Sequence, residues 1–203
     1  MDKIMLILSA LIAYLIGSIS TSIIVSRLMG GIDIRKHGSG NAGTTNTLRT
    51  LGKKAALFVL LGDFFKGIIA VLCARLLANI SGGDVLLCEC VAGFMVVMGH
   101  NFPVYFGFKG GKGVLTSFSV VLILDWKIAL LLLLCEVVII AIWKMVSLGS
   151  CLSAVLFMIL SVLMRRSDVY FVVLSFVLSI ILIYRHRTNI SRIIKGEESK
   201  LKF

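Results

Sequence analysis

The stretch IALLLLLCEVVIIAIW, residues 128–143, carries one charged side chain, Glu136, in an otherwise apolar run. A helix that crosses a bilayer needs roughly 20 mostly apolar residues, with a range of about 17–25. Further apolar segments lie on both sides of it: residues 4–25, 55–78, 85–98, 114–124, 146–164 and 169–184. The pattern predicts an all-α integral membrane protein, a bundle of about seven transmembrane helices. Several segments are short, so five or six spans remain open, and we expect the fourth, residues 114–124, to extend into the glycine-rich loop before it.

The composition excludes most other classes of protein. Hydrophobic residues make up 59% of the chain and charged residues 15%, and the mean hydropathy is +1.04. Soluble domains run near 45–50% apolar, so this is neither an ordinary soluble domain nor a disordered chain. The net charge of +11 also suits a nucleic-acid-binding protein, but such proteins are far less apolar, so we expect no nucleic-acid partner.

Cysteine spacing and chain organisation add three expectations. No two of the five cysteines have CxxC spacing, so a zinc site or a redox motif is not indicated. We therefore expect no metal and no cofactor. No repeat or linker divides the sequence, which predicts a single transmembrane domain over residues 1–203.

The distribution of basic residues predicts the orientation in the membrane. With the N-terminus outside and alternating spans, the outer side holds only Lys3, Lys127, Arg165 and Arg166. Lys66 and Arg75 lie within the second apolar segment, and the remaining lysines and arginines, Lys202 among them, fall on the cytoplasmic side. Cytoplasmic loops carry the surplus of Lys and Arg, so we predict an outside N-terminus and a cytoplasmic C-terminus.

The first of three polar segments on the predicted cytoplasmic face is HGSGNAGTTNTLR, residues 37–49. Its glycines allow backbone amides to approach an anion, and Ser39 and the neighbouring threonines supply hydroxyls. Residues 44–54 are predicted to form a helix whose N-terminus points at the glycines and favours phosphate. Arg49 lies on the same helix face as Thr45, four residues earlier. We predict phosphate binding here; the alternative is a flexible loop with an N-cap.

The second segment is GHNFPVYFGFKGGKG, residues 99–113. It is not a Walker A loop, because Gly113 stands where Ser or Thr is required. Consecutive glycine amides with a lysine at a helix start nevertheless predict an anion-binding nest, the alternative being a turn flanked by snorkelling lysines. His100, which opens this loop with Asn101, is expected to be a satisfied structural residue more than a base.

The third segment is RHRTNISR, residues 185–192, at the end of the last apolar stretch. His186 and Asn189 are three residues apart and are predicted to share a helix face that contributes to the site. The basic residues Arg187, Lys195 and Lys200 are predicted to face outward and bind anionic lipid headgroups.

Two charged residues, Asp63 and Lys66, lie three apart within the second apolar segment. An ionised residue at mid-bilayer costs about 2.5–3.5 kcal/mol on insertion scales. Two interpretations stay open: the residues pair across one helical turn, or they support the site. Glu89 and Glu136 have no assigned role.

Four motifs in this order carry a resemblance: GSGNAGTTN (38–46), DFFKG (63–67), GHNFP with FKGGKG (99–113) and HRTN (186–189). The sequence resembles the PlsY family of bacterial acyl-phosphate:glycerol-3-phosphate acyltransferases over nearly its whole length. One departure is Thr44, where the family motif is expected to have Ala, and this residue changes the packing of the loop. The resemblance implies a seven-helix, multi-pass protein of the bacterial plasma (inner) membrane, with the N-terminus outside and the active site facing the cytoplasm.

The resemblance also implies roles for particular residues. The catalytic, phosphate-binding residues carry over to Ser39, Arg49, Lys112, His186 and Asn189. Around them we expect a wider set of substrate-binding residues in the same motifs: Gly38, Gly40, Asn41, Asn46, Lys109, Gly110, Gly111, Gly113, His100 and Asn101. Asp63 and Lys66 are expected to support the site.

The implied reaction transfers a fatty acyl group from acyl phosphate to the sn-1 hydroxyl of glycerol 3-phosphate, giving lysophosphatidic acid and inorganic phosphate. The expected partners are these two substrates and membrane lipids, without an obligate protein partner. The fifth residue after each histidine is Ala42, Tyr105 or Ser191. The His-x-x-x-x-Asp motif of soluble-domain acyltransferases is therefore absent from the sequence, which favours direct attack by the acceptor hydroxyl, with the donor phosphate or His186 as the base. The alternative function is a small phosphate or organic-anion transporter.

Overall fold

A computed structural model describes residues 3–201 of the chain, and within that range every regular element is a helix. Lys202, assigned above to the cytoplasmic side, lies outside the described residues. The α-helices of the described range are α1 (Lys3–Gly17), α2 (Thr21–Gly30), α3 (Thr44–Ser81), α4 (Val85–Asn101), α5 (Val114–Leu124), α6 (Trp126–Trp143), α7 (Val146–Arg165), α8 (Val169–Arg185) and α9 (Arg187–Ile194). Short 3₁₀ turns at Ile34–Lys36 and Val104–Phe106 follow α2 and α4.

Each predicted apolar segment coincides with helical structure. Within residues 3–201, five stretches are long and apolar enough to cross a membrane: Lys3–Gly30, Thr44–Ser81, Val85–Phe106, Trp126–Trp143 and Val146–Arg165. A sixth is added if α8 and α9, which meet at a bend of 59°, form one broken span. The helix α5 is apolar but, at about 1.5 Å per residue, far shorter than a hydrocarbon core of about 30 Å.

Three details of the predicted helices were wrong. The segment 4–25 contains two helices, because the chain leaves α1 after Gly17 and enters α2 through an extended Ser20. The predicted helix 44–54 begins at Thr44 but is broken at Gly52, whose φ of 82° no α-helix accommodates. The glycine loop does not extend α5, which begins only at Val114.

The chain divides between Val120 and Val121, within α5, into two compact units. In the first unit α1 packs against α4 and α3, and α3 packs against α2 and α4. In the second unit α7 lies between α6 and α8, and α9 contacts α7 and α8. The single domain over residues 1–203 stays a prediction.

The two glutamates without an assigned role have polar partners inside their own units. Glu89 on α4 pairs with Arg75 on α3. Glu136 on α6 accepts a hydrogen bond of 3.0 Å from the Ser150 hydroxyl on α7. Each therefore connects neighbouring helices, as buried charged groups in apolar surroundings are expected to do.

Close approach of main chains characterises the contact between α1 and α4. A side chain on Gly17 would collide with the carbonyl group of Val96, and one on Gly99 would collide with the carbonyl oxygen of Tyr14. The Tyr14 hydroxyl donates to the Phe102 carbonyl at 2.8 Å. Because α4 leads directly into the second glycine segment, this packing fixes where that segment begins.

Gly17→Ala is expected to push α1 away from α4, because the added methyl meets main-chain atoms that cannot rotate aside. Overpacking of this kind costs about 1–3 kcal/mol of stability. Thermal unfolding of the purified protein in detergent measures it, with Leu11→Ala, an exposed position on the same helix, as the control. An unfolding temperature equal to that of the control would contradict the close packing.

Candidate active site

Asn46, at 1% exposure, organises the first glycine segment. Its Nδ2 atom donates to the carbonyl oxygens of Ile34, His37 and Asn41 at 3.2, 3.0 and 3.0 Å. Its Oδ1 atom accepts the Ser39 N–H at 2.8 Å. Both ends of the Asn46 amide therefore bond to the main chain before α3. Asn46, which was expected to bind substrate, instead fixes the shape of this loop.

Arg35 ties the turn before the first segment to the second segment. Its Nε and Nη2 atoms donate to Oδ1 and Oδ2 of Asp33 at 2.9 and 2.6 Å, and its Nη1 atom donates to the Phe106 carbonyl at 2.7 Å. The side-chain hydrogen bonds from Arg35 hold the pKa of Asp33 well below its ordinary value, although partial burial opposes this. The pair therefore stays ionised at neutral pH.

An open cavity of about 530 Å³ lies in the first unit beside these residues. It is lined by Asp33, Arg35, Lys36, Gly40, Phe106, Gly107, Lys109 and Gly110. It thus brings together Gly40 of the first segment with Lys109 and Gly110 of the second, three of the predicted substrate-binding residues.

The second segment folds back onto the end of α4. The Gly110 N–H donates to the Asn101 carbonyl at 3.2 Å, and the Gly111 N–H donates to the His100 carbonyl at 3.1 Å. These two amides are the ones that the sequence pattern predicts for an anion nest. In this structure they hold the loop in place, and Lys112 follows directly, half-buried, before α5.

A buried group of side chains, here called the Lys66 cluster, comprises Thr21, Asp63, Lys66 and His100. The Lys66 Nζ atom donates to Asp63 Oδ1 at 2.7 Å and lies 2.8 Å from His100 Nδ1. The Thr21 hydroxyl donates to the same Asp63 oxygen at 3.1 Å. The i,i+3 pairing of Asp63 with Lys66 is therefore present, and His100, 34 residues further along, joins it.

Asn101 is fully buried next to this cluster in the chain. Among the described residues, neither its Nδ2 nor its Oδ1 atom has a hydrogen-bond partner. The side chain lies against Gly113, where an added Cβ would approach its Oδ1 atom to 3.0 Å. Its main-chain carbonyl, by contrast, accepts from Gly110.

The remaining predicted residues of the first unit differ in accessibility. Ser39 and Arg49 are exposed, and Asn41 is half-buried. Gly38 lies against the Asn46 side chain and has a φ of 57°. Ser39 and Arg49 are therefore open to a soluble ligand, whereas Asn46 and His100 are not.

The second unit contains His186 and Asn189. His186 stands at the bend between α8 and α9, so the two residues do not share one continuous helix as predicted. The His186 Nδ1 atom lies 2.9 Å from the Leu182 carbonyl oxygen. Because a carbonyl only accepts, Nδ1 carries the proton and Nε2 is the ring nitrogen able to accept one.

Glu198 is a functional candidate that the sequence analysis missed. Its Oε1 atom accepts from Asn189 Nδ2 at 2.7 Å and from the Ser147 hydroxyl at 2.8 Å, and its Oε2 atom accepts from Arg192 Nε at 2.9 Å. Burial by itself raises the pKa of the Glu198 carboxyl, but these hydrogen bonds outweigh it and leave the pKa below its ordinary value. The only signal in the sequence is that two acidic residues, Glu197 and Glu198, stand in a tail that also carries several lysines.

The fold and the segments together define an all-helical integral membrane protein with basic, glycine-rich segments. The chain matches the glycerol-3-phosphate acyltransferase family over residues 7–196. It is 44% identical over 195 residues to the glycerol-3-phosphate acyltransferase of Clostridioides difficile (strain 630), covering 96% of this chain and 95% of the relative. The enzyme of the same name from Shouchella clausii (strain KSM-K16) is 46% identical over 199 residues, covering 97% and 96%.

Two solved structures are also similar. Both are crystal structures of PlsY (YgiH), an integral membrane glycerol 3-phosphate acyltransferase, at 37% identity. The glycerol 3-phosphate form has a TM-score of 0.85 and covers 97% of this chain and 96% of that one; the lysophosphatidic acid form has a TM-score of 0.82 and covers 97% and 95%. The chain belongs to the PlsY family of glycerol-3-phosphate acyltransferases. The predicted family is therefore confirmed, and an acyltransferase replaces the transporter alternative.

Asn46→Asp is expected to disorder the first segment and lower activity more than Asn46→Ala. The aspartate loses the donating NH₂ group and places a charge against three carbonyl oxygens that repel it, whereas the alanine loses the same hydrogen bonds without adding a charge. Acyltransferase rate and limited proteolysis measure the two effects. Leu48→Ala, at an exposed position of the same helix, is the control, and equal rates for all three variants would contradict the assignment.

Glu198 predicts a pH dependence of the stability of the second unit. A carboxyl whose pKa is lowered by folding stabilises the folded state fully above its unfolded pKa of about 4.3, and this contribution is lost as the pH falls through the folded pKa. Thermal unfolding in detergent between about pH 7 and pH 3 is therefore expected to show a fall in stability that Glu198→Gln makes smaller, while the contribution of Asp33 remains. Glu197→Gln, at the exposed neighbour, is expected to keep the full fall; if the two variants behave alike, the assignment is wrong.

Proposed function

We propose that the protein transfers a fatty acyl group from acyl phosphate to the sn-1 hydroxyl of glycerol 3-phosphate, releasing lysophosphatidic acid and inorganic phosphate. One observation carries the proposal. The two glycine-rich segments, which hold Ser39, Arg49 and Lys112, belong to one unit and are tied together by Arg35. The solved relatives support the acceptor and the product, since their forms are named for glycerol 3-phosphate and lysophosphatidic acid.

Acyl phosphate suits this chain as the donor because it is already an activated mixed anhydride. The acceptor hydroxyl attacks its carbonyl carbon and forms the new ester bond. The bond from that carbon to the bridging phosphate oxygen breaks, and the electron pair leaves with inorganic phosphate. Cations positioned at the departing phosphate stabilise its charge. We assign this role to Lys112 and Arg49, because the amides of Gly110 and Gly111 are already bonded within the loop.

The proton of the attacking hydroxyl goes to the departing phosphate, which keeps the step balanced without a protein base. His186 is the second candidate acceptor, because its Nδ1–H is committed to Leu182 and its Nε2 atom is the basic nitrogen. The histidines of this sequence also lack an aspartate at the fifth following position. His186 and Asn189 enter the proposal on the family resemblance.

Seven spans with the N-terminus outside and the site facing the cytoplasm of the bacterial inner membrane complete the proposal. The bias of Lys and Arg toward one side supports the orientation. The seven spans are α1 with α2, then α3 to α8 in turn. The helix α5 is too short to span alone, so the count of seven requires the loop before it to lie at membrane depth, where it is buried in protein or lines the open cavity.

The donor is tested with the purified protein, glycerol 3-phosphate and either palmitoyl phosphate or palmitoyl-CoA. We expect lysophosphatidic acid and phosphate to form together from palmitoyl phosphate only. Product from the CoA donor alone would contradict the proposed donor, and no product from either would contradict the proposed function.

Lys112→Ala and Arg49→Ala are each expected to lower kcat/KM about 10- to 100-fold, since each removes a charge-assisted hydrogen bond worth about 1.5–3 kcal/mol. Lys54→Ala, an exposed basic residue close to Arg49 in sequence, is expected to stay near the wild-type rate. Wild-type kcat/KM in the first two variants, with normal insertion, would reject the phosphate-binding assignment.

A further inference from the structure

The Lys66 cluster contains an ammonium group whose hydrogen bonds are all accounted for. An ammonium has three N–H donors. The Lys66 Nζ atom lies 2.7 Å from Asp63 Oδ1, 3.2 Å from the Ile19 carbonyl oxygen and 2.8 Å from His100 Nδ1. The three neighbours belong to α3, to the connection between α1 and α2, and to α4. One buried cation therefore joins three parts of the first unit.

The same arrangement fixes the tautomer of His100. The Asp63 carboxylate and the Ile19 carbonyl only accept, so the third Lys66 proton goes to His100 Nδ1. A ring nitrogen that accepts carries no proton, and the ring proton of the neutral imidazole is then on Nε2. His100 therefore accepts a hydrogen bond from Lys66 at Nδ1 and presents an N–H donor at Nε2.

The Nε2 atom of His100 faces the meeting point of the two glycine segments. A side chain on Gly111 would collide with this atom on one side and with the carbonyl oxygen of Ala42 on the other. Gly111 also donates its N–H to the His100 carbonyl. Gly111 of the second segment is thus packed against both His100 and Ala42 of the first segment, and only glycine leaves the room for this contact.

We propose that Lys66 and His100 are positioning residues for the phosphate of the acyl phosphate donor. They hold the second glycine segment against Ala42 of the first segment. This contact sets the distance between Lys112 and the first segment, so that a substrate phosphate fits between them. The inference rests on the function proposed above. It assigns Lys66 and His100 no contact with the reacting atoms, because both are almost fully buried.

A purely structural ion pair is the competing explanation. Replacing a buried ion pair by apolar residues often leaves stability unchanged, so burial alone does not decide. The chain offers a control at a more exposed ion pair, since Arg75 and Glu89 also join α3 to α4. That pair lies towards the opposite end of α4, and Glu89 is more than ten residues from His100.

Two substitutions of His100 distinguish the contribution of its Nδ1 atom from that of its Nε2 atom. The glutamine amide of His100→Gln reaches as far as Nε2 and keeps the contact with Gly111, whereas the shorter amide of His100→Asn reaches only Nδ1. His100→Asn is expected to raise the KM for palmitoyl phosphate about tenfold, because Gly111 loses the side chain that it packs against, with little change in kcat. His100→Gln keeps that contact but loses the acceptor for Lys66, so it is expected to raise the KM by less, about threefold.

Lys66→Met and Arg75→Met complete the experiment. Lys66→Met keeps the side-chain length without the cation and is expected to raise the same KM about tenfold, while Arg75→Met leaves it unchanged. The KM is measured at saturating glycerol 3-phosphate on protein that elutes as a folded species. If Lys66→Met fails to fold, the KM values of the two His100 variants distinguish the positioning role from a purely structural ion pair.

The outcomes separate the two proposals. A wild-type protein that makes no lysophosphatidic acid overturns the proposed function and this inference with it. An active wild type with His100→Asn, His100→Gln and Arg75→Met all at the same KM overturns the inference alone. A loss of kcat with an unchanged KM in His100→Asn also overturns it, because the residue would then act on the chemical step.

Discussion

The ammonium group of Lys66 is buried in the apolar, helical first unit and donates hydrogen bonds to three acceptors. These acceptors come from three different parts of that unit. A charge at this depth is costly unless it is paired and hydrogen-bonded. Asp63 supplies the opposite charge one turn away, and Ile19 and His100 supply the remaining acceptors. Because these groups come from separate parts of the chain, satisfying the cation also fixes where α4 ends and where the second glycine segment starts.

The glycine segments owe their shape to hydrogen bonds within the protein. Asn46 uses both ends of its amide on the first segment, and the amides of Gly110 and Gly111 are bonded to the end of α4. A phosphate bound at the glycine segments would therefore be held mainly by side-chain cations and hydroxyls. The amides of Gly110 and Gly111, which the sequence pattern suggests for this role, are already hydrogen-bonded. Gly110 and Gly111 are needed because their main chain lies so close to main-chain atoms of His100 and Ala42 that a side chain would collide with them.

The sequence predicts the parts of this structure that depend on local patterns. Apolar length predicts where the long apolar helices lie, and the i,i+3 spacing places Lys66 beside Asp63. Contacts between distant residues leave no local pattern, and so the partnership of His100 with Lys66 and that of Glu198 with Asn189 appear only in the folded chain. The break after Gly17 was missed for the same reason, since hydropathy does not record a turn within an apolar run.

A structure of the protein in lipid with a non-hydrolysable analogue of acyl phosphate bound tests the account most directly. We predict the phosphate within hydrogen-bond distance of Ser39, Arg49 and Lys112, with the amides of Gly110 and Gly111 still bonded to the end of α4. A phosphate bound instead in the open cavity beside Lys36, without contact to Lys112, would contradict the account.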